Sequence, residues 1–198
     1  MDDELEEAKR RPCPGCLLYH QTSLTNVESI RKLGLIGYQG LDTLILRGGP
    51  DDITKAIQEA DAWIQLDGGC NHHGAVFFYN DKEKMRTNAP YVVVDMRDLD
   101  PNKCSVESSV QQHWEDLVYC ASHEGECGEG YMEEMASQYC QSFMQYPCGE
   151  ELLETMVDSP NYQPKIPETT RMGEERQVMV YCDIPPEIIK IVLPGDKK

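Results

Sequence analysis

Polar side chains that could bind a ligand follow directly after the first apolar run of the chain. The run Leu17 to Tyr19 comes after Pro14-Gly15, a pattern that predicts a short buried strand. Polar side chains at the exit of such a strand can line a cleft. The polar residues at this position are His20, Gln21, Thr22 and Ser23.

A second polar set lies near the end of the chain. The segment Asp158 to Met172 contains three prolines and no periodicity, which predicts a loop. The segment Gln177 to Asp183 alternates in hydrophobicity and is predicted to be a strand. Glu174 and Glu175 lie between the two, so carboxylates and the Gln177 amide come together where the loop enters the strand.

Cysteine and histidine clusters give weaker indications of chemistry. Cys13 and Cys16 have zinc-knuckle spacing, but a closed zinc site needs four ligands and the chain has no second Cys-x-x-Cys. In Cys70-Asn71-His72-His73 the thiol and imidazoles are so close in sequence that a working catalytic pair is not expected. Further zinc ligands could come from distant residues in the folded chain, namely Cys120, Cys127, Cys140, Cys148 and His123. One half-motif is weak evidence, so no metal site is predicted.

A short helix is expected to position the first polar set. Thr25 and Glu28 have the spacing of a capping box, in which each side chain takes a backbone N–H at the helix start. Val27, Ile30 and Leu33 repeat at helical spacing. Gly34 then predicts a left-handed end to the helix.

Two further strands are predicted in the middle of the chain. They are the segments 74–79 and 91–95, separated by a polar turn. The run Val92-Val93-Val94 predicts a central strand buried on both faces. The following segment 95–102 contains Asp-Pro-Asn, which predicts a surface turn.

The order strand, His-x-Thr-Ser, short helix, Gly-Leu resembles the first strand and helix of the ADP-ribosyltransferase superfamily, which includes diphtheria-type toxins and poly(ADP-ribose) polymerases. Tyr19-His20-Gln21-Thr22-Ser23 fills the family's aromatic-His-Gly-Thr motif, with Gln21 in place of the usual Gly. The segment 74–99 resembles the middle of the family core, where an aromatic residue stacks on nicotinamide. Tyr79 and Tyr91 are the candidates for that aromatic.

The last strand carries the second part of the resemblance. Family members have a catalytic Glu at the start of this strand, often as Glu-x-Glu or Gln-x-Glu. Gln177 stands at that position here. A register shifted by two residues would put Glu175 in the role, with Glu174 adjacent, and the sequence leaves the choice among these three residues open.

The resemblance implies NAD as the substrate. Cleavage of nicotinamide from NAD builds positive charge on the ribose carbon, as in glycoside hydrolysis, and a fixed carboxylate stabilises that charge. His20 would bind the other ribose. Gln21, Thr22 and Ser23 would complete the cofactor-binding strand end. This chemistry does not require a Rossmann fingerprint, and the sequence contains none.

Composition limits the partners. The 198 residues carry a net charge of −17. No Lys or Arg occurs between Lys103 and Lys165, where we count 12 Asp and Glu. Such an acidic segment either disfavours nucleic acid as a partner or is a solvated face that only keeps the protein in solution. A protein is the expected acceptor. With no apolar run long enough to span a membrane and no signal peptide, the chain is expected to be intracellular, away from the membrane, with its nine cysteines reduced.

The expected fold is therefore one α+β domain over residues 1–198, with an ADP-ribosyltransferase-like split mixed sheet. Residues 1–12 are predicted to be a charged arm and residues 104–157 an acidic, mostly helical insertion. Two functions remain open. The chain transfers ADP-ribose from NAD to a macromolecule, or it is a catalytically reduced relative that binds NAD, ADP-ribose or a protein.

Overall fold

The protein contains two small antiparallel sheets and several helices. The computed structural model describes residues 2–37, 58–60, 62–63, 75–106, 110–123, 127–142, 144–164 and 177–196. The strands are β1 (Leu17–Gln21), β2 (Val76–Phe78), β3 (Tyr91–Asp95), β4 (Cys104–Val106), β5 (Met144–Gln145), β6 (Val178–Val180) and β7 (Ile189–Val192). The helices named below are α1 (Asp2–Arg10), α2 (Val27–Leu33), α3 (Val110–Ser122), α4 (Tyr131–Ser142) and α5 (Gly149–Asp158). The predicted α+β class is confirmed.

The first sheet has the order β1-β3-β7, with β1 and β7 both antiparallel to β3. Successive side chains of a strand point to opposite faces. Leu18, Val92 and Val94 are fully buried on one face of this sheet. Val93 is only half-buried on the other face. The central position of the Val-Val-Val strand is therefore confirmed, but its predicted burial on both faces is wrong.

The second sheet has the order β2-β6-β4-β5, and its pairings are also antiparallel. Val178 and Val180 of β6 are buried in the main core, while Met179 lies on the opposite face, as the alternation in the sequence predicts. A bridge between Tyr19 and Tyr79 joins the two sheets. A mixed sheet was expected, but every pairing among the described strands is antiparallel.

Helix α2 begins differently from the prediction. Residues Leu24–Asn26 form a 3₁₀ turn, and the Thr25 hydroxyl lies 2.7 Å from the Ser23 hydroxyl. Glu28 pairs with Arg31 in the same helix, so the two side chains do not form the expected capping box. The predicted end is correct, because Gly34 has φ +82° and a Cβ there would clash with the Ile184 carbonyl oxygen.

The segment predicted as an acidic insertion is divided in the structure. Its ends contribute β4 and β5 to the second sheet, and β4 and α5 pack in the main core. Helices α3 and α4 instead share a second cluster, in which Leu117 and Tyr139 are fully buried. The part of the segment outside the main core therefore lies between β4 and β5.

Helix α1 is packed against the core. Its Ala8 is fully buried, and Arg11 beyond its end donates to the Met156 carbonyl of α5 at 3.3 Å. The predicted surface turn after β3 is also partly covered, since Met96 is fully buried and Arg97 is 8% exposed. Within the described ranges, no helix is long and apolar enough to cross a membrane.

Candidate functional site

His20 lies near the end of β1, on the same side as Phe78 of β2. Its Nδ1 atom is 2.8 Å from the Phe77 carbonyl oxygen, and its ring meets the Phe78 ring edge-on at 5.8 Å between centroids. A carbonyl oxygen only accepts hydrogen bonds, so Nδ1 carries the proton. The Nε2 atom of a neutral imidazole is then an acceptor, suited to a hydroxyl group.

Burial keeps His20 in this neutral form. Desolvation lowers the pKa of His20 below its usual value of 6.5, and the hydrogen bond to the Phe77 carbonyl opposes the shift only in part. At neutral pH the ring therefore accepts a hydrogen bond at Nε2 and carries no charge. It can orient a ribose hydroxyl, but it cannot neutralise a phosphate.

Gln21 holds the loop that precedes β3. Its Nε2 atom donates to the Pro90 carbonyl at 2.7 Å, and its Oε1 atom accepts from the Arg86 N–H at 2.6 Å. The Thr22 N–H donates to the same Pro90 carbonyl at 3.1 Å. The Gln21 side chain lies on the face opposite His20, because successive strand residues alternate. It therefore does not contact the His20 side of the strand.

We expect Gln21→Ala to lower the free energy of unfolding by about 1–2 kcal/mol, because it removes the hydrogen bonds to the Arg86 N–H and the Pro90 carbonyl. The Pro90 carbonyl keeps the Thr22 N–H as a donor. Urea unfolding followed by circular dichroism measures this change. A suitable control is Gln138→Ala, which removes a surface hydrogen bond to Glu134 within α4 and should change stability by less than about 0.5 kcal/mol. Equal effects of the two substitutions would contradict the structural role of Gln21.

Gln177 meets Tyr79 where β6 begins. Its Nε2 atom donates to the Tyr79 hydroxyl oxygen at 3.0 Å. The pairing follows from the register of β2 and β6, in which Phe78 lies opposite Val178, so that Tyr79 and Gln177 form the next pair. Tyr79 in turn exchanges two backbone hydrogen bonds with Tyr19, at 2.7 and 2.8 Å. One candidate aromatic and one candidate strand-start residue are thus in direct contact.

The candidate residues lie on both sides of these joined strands. Alternation and the two pairings put the side chains of Tyr19, Tyr79 and Gln177 on one side, and those of His20 and Phe78 on the other. His20 and Gln177 therefore do not form one compact cluster. They approach the junction of β1 and β2 from opposite sides.

Tyr91, the other candidate aromatic, occupies a separate place. It lies opposite Gln21 in β3, with its ring centroid 6.2 Å from that of Tyr19. Tyr19 and Tyr91 line a hollow of about 340 Å³ on the outer face of the first sheet, together with Lys190. Neither Tyr79 nor Gln177 lines this hollow. Of the two candidates, Tyr79 is the one in contact with the strand-start residue.

The remaining candidates are either exposed or outside the described residues. Ser23 is exposed, and Thr22 is half-buried. Glu174 and Glu175 lie outside the described residues, as does the segment 70–73. The assignment of the catalytic carboxylate to Glu174 or Glu175 therefore stays a prediction.

The prediction of reduced cysteines is wrong for two pairs. Cys13 and Cys16 form a disulfide, as do Cys120 and Cys127. The Pro-Gly turn between the first two brings their Cα atoms to 5.2 Å, within the range that a disulfide needs. A disulfide sulfur is not a thiolate ligand, so Cys13 and Cys16 do not bind zinc in this state. The part of the chain that the structure describes contains no group of three or more metal-ligating side chains.

The sequence pattern did not reveal two contributors to the site. The Phe77 carbonyl sets the tautomer of His20, and backbone atoms leave no mark in a sequence. Tyr19 joins β1 to β2 on the side where Gln177 lies. Strand alternation could have indicated this position of Tyr19, but only after Tyr79 was known to lie beside Tyr19.

No family model, no curated protein and no solved structure matches this chain.

Proposed function

We propose that this chain binds NAD at the junction of β1, β2 and β6 and transfers its ADP-ribose part to a macromolecular acceptor, with protein as the expected acceptor. The observation that carries the proposal is the contact between Gln177 and Tyr79. It brings one of the three candidates for the catalytic position against one of the two candidates for the aromatic that stacks on nicotinamide. The bridge from Tyr79 to Tyr19 connects this pair to the strand that carries His20.

His20 and Gln177 lie on opposite sides of the joined strands, and we propose that NAD passes around the strand ends so that each residue binds a different ribose. The neutral His20 ring would accept a hydrogen bond from one ribose at Nε2. Gln177 would bind the ribose that is attached to nicotinamide, with Tyr79 beside the nicotinamide ring. Each residue then has a separate part of the dinucleotide to recognise.

The weak point for catalysis is the absence of charge on Gln177. Its amide can bind a ribose hydroxyl, but it cannot stabilise the positive charge that develops on the ribose carbon. Efficient transfer would require Glu174 or Glu175 to provide the carboxylate. The second candidate function is therefore a catalytically reduced module that binds NAD or ADP-ribose, and the position of Gln177 beside Tyr79 favours it.

Two assays on the full chain test the proposal together. Isothermal titration calorimetry with NAD measures binding, and chromatographic detection of nicotinamide measures turnover with and without cell extract as a source of acceptor. Binding with nicotinamide release supports the transferase. Binding without release supports the module. A folded protein that does not bind millimolar NAD would refute both.

His20→Ala should weaken NAD binding by about tenfold, the effect of one lost hydrogen bond at a partly buried site. His123→Ala is the matched control, because the His123 Nδ1 atom also bonds a backbone carbonyl, that of Tyr119 at 2.9 Å. This histidine is exposed and lies directly after the end of α3. The control should leave NAD affinity unchanged. Equal affinities of the two variants would show that His20 does not contact NAD.

The same residue makes NAD affinity depend on pH. Since the pKa of His20 is lowered below 6.5, the ring is neutral at pH 7 and above, where affinity should be constant. As the pH falls below 6.5 and through the lowered pKa, Nε2 gains a proton, stops accepting, and affinity should fall. Titrations of the wild type and His20→Ala between pH 5 and 8 measure this, and the variant should lack the His20-dependent part of the change.

A further inference from the structure

A groove lies between the first and last described helices of the main core. Its walls are α1, the start of α5 and the 3₁₀ turns Met96–Asp98 and Pro101–Lys103, and its volume is about 750 Å³. We call it the α1–α5 groove. Its apolar lining residues are Leu5, Leu99, Leu153 and Ile188. The residues that line it do not include His20, Tyr79 or Gln177.

The walls of the α1–α5 groove are held in place by specific contacts. Arg97 donates to the Ala8 carbonyl at 3.1 Å and to the Arg11 carbonyl at 2.9 Å, which ties α1 to the turn after β3. Gly149, with φ +57°, starts α5 so close to the Leu99 carbonyl that a Cβ would clash with it. The groove is therefore preformed, and a ligand would not have to order it on binding.

The rim of the groove is acidic. Five carboxylates line it, against two cations, Lys9 and Arg97. Both cations are already engaged, Lys9 with Asp98 at 3.4 Å and Arg97 with Asp95. Of the carboxylates, Asp98 is engaged by Lys9, and Glu6 pairs with Arg10 at 3.8 Å on the exposed surface of α1. The carboxylates are Asp2, Glu6, Asp98, Asp100 and Glu150. An apolar floor is thus surrounded by an excess of negative charge.

We propose that the α1–α5 groove docks a basic segment of a partner protein, in which Lys or Arg residues flank an apolar anchor. The anchor would pack on Leu5 and Ile188, which are half-buried, whereas Leu99 and Leu153 are already buried in the core. Lys and Arg side chains can lay their aliphatic parts along apolar surface while their charged ends reach the carboxylates of the rim. The same rim repels phosphate-bearing partners. The proposal goes beyond NAD binding, and it is tested without NAD so that either can fail alone.

The test is fluorescence anisotropy of the full chain with a labelled peptide of Lys, Arg and Leu, compared with a peptide in which Glu replaces every Lys and Arg. Only the basic peptide should bind. The double substitution Glu6→Gln and Glu150→Gln should weaken its binding by about five- to tenfold, because two exposed carboxylates of the rim lose their charge.

The matched control is the double substitution Glu7→Gln and Glu151→Gln. It makes the same charge change on the same two helices, away from the residues that line the groove. Glu7 pairs with Arg11 as Glu6 pairs with Arg10, and Glu151 shares the first turn of α5 with Glu150. The control should change affinity by less than about twofold.

Three results would overturn the proposal. The first is no binding of the basic peptide by the folded protein. The second is equal weakening by both double variants, which would assign the attraction to the net charge of the chain. The third is a dimer in light scattering that Glu6→Gln with Glu150→Gln dissociates, which would assign the groove to a second copy of the chain.

Discussion

Gln177→Glu should raise the rate of nicotinamide release from NAD by about 10²–10³-fold, the usual effect of one electrostatic contact that acts in the transition state. Gln177 already donates to the Tyr79 hydroxyl at 3.0 Å, and a glutamate of the same length would bring a carboxylate to this place. The Tyr79 hydroxyl can donate to that carboxylate, so the contact is kept with its direction reversed. NAD affinity should change much less than the rate.

Gln177→Leu is the control of similar size. It removes the hydrogen bond to Tyr79 without adding charge, so it should not raise the rate. Glu174→Gln and Glu175→Gln complete the series. If the wild type releases nicotinamide and one of these two substitutions abolishes the release, the substituted glutamate is the catalytic carboxylate. Gln177 is then a binding residue beside it. If neither variant nor the wild type nor Gln177→Glu releases nicotinamide, while NAD binding is measured, the module is the correct function.

Local patterns in the sequence predicted the elements of the site well. Strand β3 has its predicted bounds, Tyr91–Asp95, because a run of β-branched residues between turn signals specifies a strand locally. The alternation of the sequence in β6 also predicted that the side chains of Val178 and Met179 point to opposite faces of the sheet. The stop of α2 at Gly34 was predictable because its backbone angle suits only glycine.

Contacts between distant residues were not predictable in the same way. The pairing of Gln177 with Tyr79 joins residues 98 positions apart and depends on the register of β2 and β6. Gln21 holds a loop 65 and 69 positions away. The predicted capping box is not formed, because the Thr25 hydroxyl is hydrogen-bonded to the Ser23 hydroxyl instead. In each case, a side chain with several possible partners takes one that only the folded chain brings close.

Arg97 lies in a turn that was predicted to be on the surface but that α1 covers. The Asp-Pro-Asn pattern predicts a surface turn, yet the Arg97 guanidinium is almost fully buried. Its Nε atom donates to the Asp95 carboxylate at 2.8 Å, and a second nitrogen pairs with the other oxygen of that carboxylate. The hydrogen bond with Asp95 raises the pKa of Arg97, so the side chain stays charged when buried.

Arg97→Ala should therefore lower the free energy of unfolding by about 3–5 kcal/mol, the usual cost of breaking a buried ion pair from one side. Asp95 would lose its partner, and the carbonyls of Ala8 and Arg11 would lose a donor. Arg97→Lys keeps the charge but cannot bind both carboxylate oxygens and both carbonyls in the same fixed geometry, so its effect should be intermediate.

Arg10→Ala is the matched control for this substitution. Arg10 pairs with Glu6 at 3.8 Å on the exposed surface of α1, and an ion pair of this kind contributes less than about 1 kcal/mol. Urea unfolding of the wild type and the three variants measures the differences. A loss for Arg97→Ala no larger than that for Arg10→Ala would show that α1 does not depend on Arg97 for its place against β3. In that case the other contacts of α1 would hold the wall of the α1–α5 groove, among them the buried Ala8 and the hydrogen bond from Arg11 to the Met156 carbonyl.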